Sequence, residues 1–218
     1  EDAAHALESS RDGIRVGQLG DTACFSFYAT KSITSGEGGA VITNSTKFAK
    51  KIRLLRTHGM SCEAAQRYTG EYHHWDLLDI GWKYNMDNIQ AALLIPQLEQ
   101  VELFRQKRES VYRKYVSALA DVPDLKMPLL KPDDIHGYHL FTIWVDPGRR
   151  DSLLEYLQKK GIGVAVNYRA IHLLSKLQQK FNAERGSFPN AENIGDSTVS
   201  LPFYPAIEDH QITYIADC

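Results

Sequence analysis

Cysteine is scarce in this sequence: three residues, Cys24, Cys62 and Cys218, odd in number and far apart. That number and spacing favour reduced thiols, as in a cytoplasmic protein, over a disulfide framework. Long apolar runs are missing too; none approaches the roughly 20 residues that a membrane-spanning helix needs. Charge of one sign is absent, with 25 Lys and Arg against 27 Asp and Glu for a net of -2. No general field therefore draws the chain to nucleic acid or to an anionic membrane. The glycine spacing does not match GxxxxGK[ST], which argues against a nucleotide P-loop. His73 and His74 have no third ligand at metal-binding spacing and read as loop residues.

What the sequence does contain is enough apolar material for a core. Of 218 residues, 43% are hydrophobic, with 11 Tyr and 8 Phe, which suits one large domain or two smaller ones. Glu1-Asp2-Ala3-Ala4-His5-Ala6 opens without Met and reads like the end of a strand, and Gln211 to Cys218 reads like a helix cut short. The chain is accordingly expected to be part of a longer protein.

Local patterns predict an alternation of strands and helices. Thr22 to Tyr28 is short and rich in β-formers, a buried strand, and Ala40 to Thr43 is a second, with Gly36, Gly38 and Gly39 making the turn between them. Ser45 is placed to cap a helix running to about Thr57, with Gly59 as its stop and His58 as a helix-end residue. Ser61 to Asp79 has no periodicity and reads as an irregular loop. Asp87 opens a long amphipathic helix toward Leu119, in which Pro96 should produce a kink or a break. Beyond Lys131-Pro132, a strand over Tyr138 to Val145, a helix over Asp151 to Lys160 and a strand over Ile162 to Val166 predict a βαβ unit. The implied organisation is a larger domain over 1–95, a connecting helix over 96–120 and a small α/β domain over 121–218.

Lys31 stands between the first strand and the glycine-rich turn. A lysine is seldom buried without a partner, so its ordinary reading is a surface residue at a strand end. Its chemical reading is an amine that condenses with an aldehyde, most often that of pyridoxal 5'-phosphate (PLP). That cofactor also asks for an acid beside its pyridine nitrogen and for donors to its phosphate. Asp2 suits the first demand, because a nearby carboxylate favours the protonated ring. Ser26 suits the second, and the small residues around it let backbone N–H groups approach an anion. Singly, each is equally an ordinary strand residue.

Taken in order, EDAAHA at 1–6, SFYATKSITSGEGGAVITN at 26–44, the HG of THGM at 57–60, GWKYNMDNIQAAL at 81–93 and SLPFYP at 200–205 resemble the PLP-dependent nucleotide-sugar aminotransferases of the DegT/DnrJ group. The resemblance runs through nearly the whole chain. Within that family the pattern is most like that of the enzymes that aminate a UDP-linked 4-keto-pentose. It implies an α/β, fold type I transferase with a central, mostly parallel sheet in the large domain. It implies Lys31 as the Schiff-base lysine and proton shuttle, Asp2 as partner of the ring nitrogen, His5 near the cofactor's 3'-hydroxyl and Ser26 as a phosphate ligand. Where relatives have an Asn that reaches the neighbouring subunit's cofactor, this chain has Lys83, and Asn85 stands where they have Arg; either fits that role. His172, in NYRAIH, falls in a segment that lies near the substrate cleft in the family.

The resemblance further implies glutamate as amino donor, a nucleotide-linked keto sugar as acceptor, a homodimer with a shared active site, and part of the site upstream of residue 1. Relatives that dehydrate sugars instead carry His where this chain has Lys31. Two rivals come from other classes: a non-catalytic regulatory or structural subunit with the same fold, and a nucleotide-sugar-binding module without PLP.

Overall fold

The computed structural model describes residues 1–61 and 74–218. Cys62 and His73 lie outside them. The chain divides into two compact units, one of residues 1–102 and 133–137, the other of residues 103–132 and 138–218. Among the described residues no helix is long and apolar enough to cross a membrane.

The first unit begins with a two-residue ladder, β1 (Ser10–Arg11) against β2 (Ile14–Arg15). β3 (Ala23–Ser26) and β4 (Gly39–Ile42) follow as an antiparallel pair in which Ala23 faces Ile42 and Ser26 faces Gly39. Parallel pairing occurs at one point among the described residues, an isolated bridge between Asp2 and Cys24. α1 (Thr46–Leu55) is capped by Ser45, whose hydroxyl accepts from the Phe48 N–H, so the cap is where the sequence puts it. The helix ends at Leu55 with Arg56 as its cap, and Gly59, at φ +79°, closes the turn beyond it by donating to the Leu54 carbonyl at 2.9 Å; a Cβ there would lie 1.9 Å from the Asp79 carbonyl oxygen. Only glycine tolerates both conditions.

The long helix departs from expectation at its break. α2 (Asn88–Glu99) runs through Pro96 without ending, and the chain turns at Gln100 (φ -108°, ψ 5°) before α3 (Val101–Ala118). Proline removes one ladder N–H, and next to it Gln97 donates its side-chain amide to the Leu93 carbonyl at 2.6 Å. Phe27, Ile33 and Leu94 form the small core of this unit, with Leu7, Phe25, Ala40, Met86 and Val101 against it.

The second unit has the larger core. Val111, Tyr115 and Leu119 line one face of the α3 region. They pack on β5 (Phe141–Trp144) and β6 (Thr198–Leu201), an antiparallel pair in register Phe141 to Leu201 and Trp144 to Thr198. Tyr115 is fully buried, its ring stacked on Phe141 at 4.6 Å and its hydroxyl donating to the Pro202 carbonyl at 2.7 Å. α4 (Pro147–Lys159) starts a turn earlier than its sequence suggests. Asp146 caps it and Pro147 occupies the first helical position, so the Asp-Pro-Gly triplet is a helix start and not a turn.

The predicted strand over Ile162 to Val166 is a single antiparallel bridge, Ala165 to Ser200. The apolar run is real, since Ile162 and Val164 join the core, but they reach it without a ladder. No βαβ unit results. α5 (Ser175–Phe181), α6 (Pro189–Ser197) and α7 (Asp209–Asp217) complete the unit, α7 opening on a reciprocal cap between Glu208 and Gln211.

Candidate active site in the first unit

β3 sorts its residues by face. Ala23, Phe25 and Phe27 turn inward, where Ala23 and Phe27 are buried and Phe25 packs on the core. Cys24 and Ser26 therefore take the opposite face, Cys24 exposed and Ser26 half-buried. The N-terminal segment lies beside this strand: the Ala3 N–H donates to the Cys24 carbonyl at 2.9 Å and the Cys24 N–H to the Glu1 carbonyl at 3.0 Å. As bridge partners, Asp2 and Cys24 share that outer face, while Ala3 is buried on the inner one. Asp2 thus lies on the same sheet face as Ser26, which stands two residues beyond its bridge partner. One of its oxygens accepts the Ala4 N–H at 3.1 Å, leaving the other toward solvent.

Ser26 ends the strand. Its Oγ accepts the Tyr28 N–H at 3.3 Å, which leaves the hydroxyl proton to be donated elsewhere. The chain then makes a closed excursion. Phe27 receives both ends: its N–H donates to the Gly38 carbonyl at 2.8 Å, and its carbonyl accepts from the Ser35 N–H at 3.0 Å and the Thr34 hydroxyl at 3.0 Å. Lys31 sits within this excursion, its N–H closing a turn on the Tyr28 carbonyl at 2.9 Å, and the residue is half-buried. Gly38, at φ +143°, has no room for a Cβ, which would meet Met86 Cε at 2.4 Å and Ser35 Oγ at 2.9 Å. The glycines here serve the shape of the loop.

His5 ties the group together electrostatically. Burial, then the Lys31 cation, push its imidazole to lower basicity, while the Asp2 carboxylate opposes them. Asp2, His5, Ser26 and Lys31 all fall in the first unit, Asp2 and Ser26 on one sheet face and His5 within electrostatic reach of Lys31 and Asp2. A carboxylate and a hydroxyl with a proton to give on one strand face, followed by a half-buried lysine in the next loop, suit the ring nitrogen, phosphate and aldehyde of PLP respectively.

Lys83 and Asn85 also fall in the first unit and form a pair: both are exposed, and the Lys83 amine donates to the Asn85 side-chain carbonyl at 2.5 Å. The segment is braced by backbone bonds from Trp82 to Leu55 and from Tyr84 to Arg56. His58, at φ +66°, is an exposed residue of the helix-end turn, as its position before Gly59 suggests.

His172 lies in the second unit, in a short 3-10 turn, and its imidazole is engaged there. Its Nε2 is 2.8 Å from a Glu192 oxygen and its ring meets Phe188 edge-on at 4.9 Å. Glu192 is buried and accepts from the Gly186 and Phe188 N–H groups. Sequence reasoning passed over Glu192 and over Gln97. The signal for Glu192 was slight: an acid in the first turn of a helix opened by Pro189.

PseC of Helicobacter pylori, an aminotransferase involved in the biosynthesis of pseudaminic acid, is similar at a TM-score of 0.89 with 31% identity, over 99% of this chain and 57% of that one. Spr1654 of Streptococcus pneumoniae in its PLP form is similar at a TM-score of 0.87 with 25% identity, over 99% of this chain and 55% of that one. The fold is that of an aminotransferase of sugar metabolism. The spore coat polysaccharide biosynthesis protein SpsC of Bacillus subtilis is 35% identical over 218 residues, 97% of this chain and 56% of its own length. The chain belongs to the DegT/DnrJ/EryC1/StrS aminotransferase family, which matches residues 1–218. It spans about half the length of these relatives.

Proposed function

We propose that the protein containing this chain transfers an amino group from an amino acid, glutamate, to a nucleotide-linked keto sugar, in the making of an amino sugar for a cell-surface polysaccharide. The observation that carries the reading is a half-buried Lys31 in a loop closed on Phe27, directly following a strand whose outer face carries Ser26 and pairs with the segment of Asp2. PLP, when bound, supplies the aldehyde that takes the amino group and the ring that accepts electrons from the substrate carbon.

This chain's residues do the rest. Lys31 would hold the cofactor covalently, and its amine, once released, would move a proton from the donor's α-carbon to the cofactor and, in the second half, from the cofactor to the sugar carbon. Asp2 would keep the ring nitrogen protonated, as an opposite charge beside it favours the charged form. Ser26 would donate to the phosphate, and His5 would serve the ring hydroxyl. Lys83 or Asn85 reaches the cofactor of a second copy, so the complete enzyme is a homodimer. SpsC and PseC, named for different products, support the amino-sugar class; the UDP-4-keto-pentose pattern in the sequence favours that acceptor within it.

The test uses the complete protein, loaded with PLP and reduced with borohydride, followed by peptide mapping. Pyridoxyl label on Lys31, lost with amino transfer in Lys31→Ala, supports the reading. Unchanged amino transfer in Lys31→Ala overturns it, and transfer by neither protein favours the non-catalytic subunit.

A further inference from the structure

The loop that carries Lys31 is held from outside by one side chain of α2. Gln97 grips Thr34 at both backbone atoms: its Oε1 accepts the Thr34 N–H at 3.0 Å and its Nε2 donates to the Thr34 carbonyl at 2.8 Å. A primary amide is the one neutral side chain with an acceptor and a donor side by side, so it mimics a strand neighbour at this point. Its Nε2 also meets the Leu93 carbonyl at 2.6 Å, which orients the amide from the helix side. Leu94, on the same helix face one turn back, packs with Ile33, which is 1% exposed. Two successive loop residues, Ile33 and Thr34, are thus held by two positions of one helix. Thr34 in turn ties the loop shut, its hydroxyl donating to the Phe27 carbonyl and accepting the Gly36 N–H at 2.9 Å.

We propose that Gln97 is a positioning residue for Lys31, setting through Thr34 where the amine at the loop's tip meets the cofactor's aldehyde. The inference rests on Lys31 being the attachment residue. It assigns a chemical task to a residue that in sequence is a plain polar position on a helix. The amide must be an amide. In Gln97→Glu, of nearly the same shape, a carboxylate oxygen faces the Thr34 carbonyl where a donor is needed; in Gln97→Met both bonds are lost with the volume kept.

The test is made on the complete protein, with Gln97→Glu and Gln97→Met as parallel variants so that a folding failure of one leaves the other. Two measurements are read. Hydrogen exchange without cofactor, which is independent of any chemistry at Lys31, should show faster exchange at the Thr34 and Ser35 amides in both variants. Covalent trapping of PLP at Lys31, followed against pH, should slow roughly tenfold at neutral pH, the size expected when one or two part-buried hydrogen bonds are lost. Its pH profile should change as well, because the amine is held in a different position. A purely structural role would lower the melting temperature and leave the pH profile in place. Unchanged trapping rate and profile in both variants, with label still on Lys31, overturns this inference alone. Label on another residue of the unsubstituted protein overturns the assignment of Lys31 and this inference with it.

Discussion

His172 and Glu192 form a buried pair in which an imidazole nitrogen lies 2.8 Å from a carboxylate oxygen that also receives backbone N–H groups of the loop beside it. The Gly186 N–H, which outweighs burial, holds the Glu192 carboxyl below its ordinary value of 4.5, with His172 and Phe188 adding to the effect. A carboxyl held low when folded contributes stability that is present above pH 4.5 and is lost as the pH falls below it. Glu192→Gln should lower the melting temperature at neutral pH and flatten the acid side of the stability curve. An unaltered acid limb would show that the carboxylate's charge is not what holds the loop.

The same reasoning applies to His5, with a cation as the neighbour. Its protonated form is disfavoured by burial and by Lys31 and favoured by Asp2. Following the His5 ring proton by NMR, Lys31→Gln should raise its titration midpoint and Asp2→Asn should lower it. Because the folded midpoint lies under the ordinary 6.5, the unfolded chain takes up the proton first, and stability at this site declines as the pH falls through 6.5. No response of His5 to Lys31→Gln would mean that the two groups are not neighbours in solution.

Two glycines at nearly the same backbone angle separate strain from crowding. Gly36 (φ +81°) has nothing within 4 Å of a built Cβ, whereas Gly59 (φ +79°) has the Asp79 carbonyl oxygen at 1.9 Å. Gly36→Ala should cost about 1 kcal/mol, the left-handed penalty alone. Gly59→Ala should cost about 3 kcal/mol or more, since a backbone must also move. Denaturant midpoints of the two variants compare them directly.

Tyr115 offers a similar separation within the larger core. Burial pushes its phenol well above its usual range, so the hydroxyl is a permanent donor to Pro202. Tyr115→Phe should cost about 1 kcal/mol, leaving the Pro202 carbonyl without its donor. Tyr115→Ala should cost about 4 kcal/mol through the cavity it opens against Phe141. Equal losses in chemical denaturation would show that the ring contributes no more than its hydroxyl.

These contrasts also show what was readable in the chain. Ser45, Gly59 and the β3–β4 hairpin announced themselves because caps and turns depend on residues a few places apart. Asp2, Ser26 and Lys31 were suggested by residue type within short motifs and His5 by the family resemblance, and backbone pairing sets the first motif alongside the strand of the second. The strand expected over Ile162 to Val166 failed because apolar content reports burial, and burial does not require a ladder. Pro96 does not divide the helix where its sequence position suggests; the break falls four residues later at Gln100. Gln97 and Glu192 were hidden for another reason: their partners are backbone atoms of distant or irregular segments, 63 residues away for Thr34, which no periodicity encodes.

The partner of Ser26 across the ladder is Gly39, and a methyl group there would lie 2.8 Å from the Phe25 carbonyl oxygen. The sheet is consequently bald beside the hydroxyl, where a neighbouring strand would ordinarily raise a side chain within about 5 Å. An oxyanion settling at Ser26 would lie against main chain on that flank. Its grip should accordingly tolerate substitutions elsewhere on the strand while refusing even the smallest branch at residue 39.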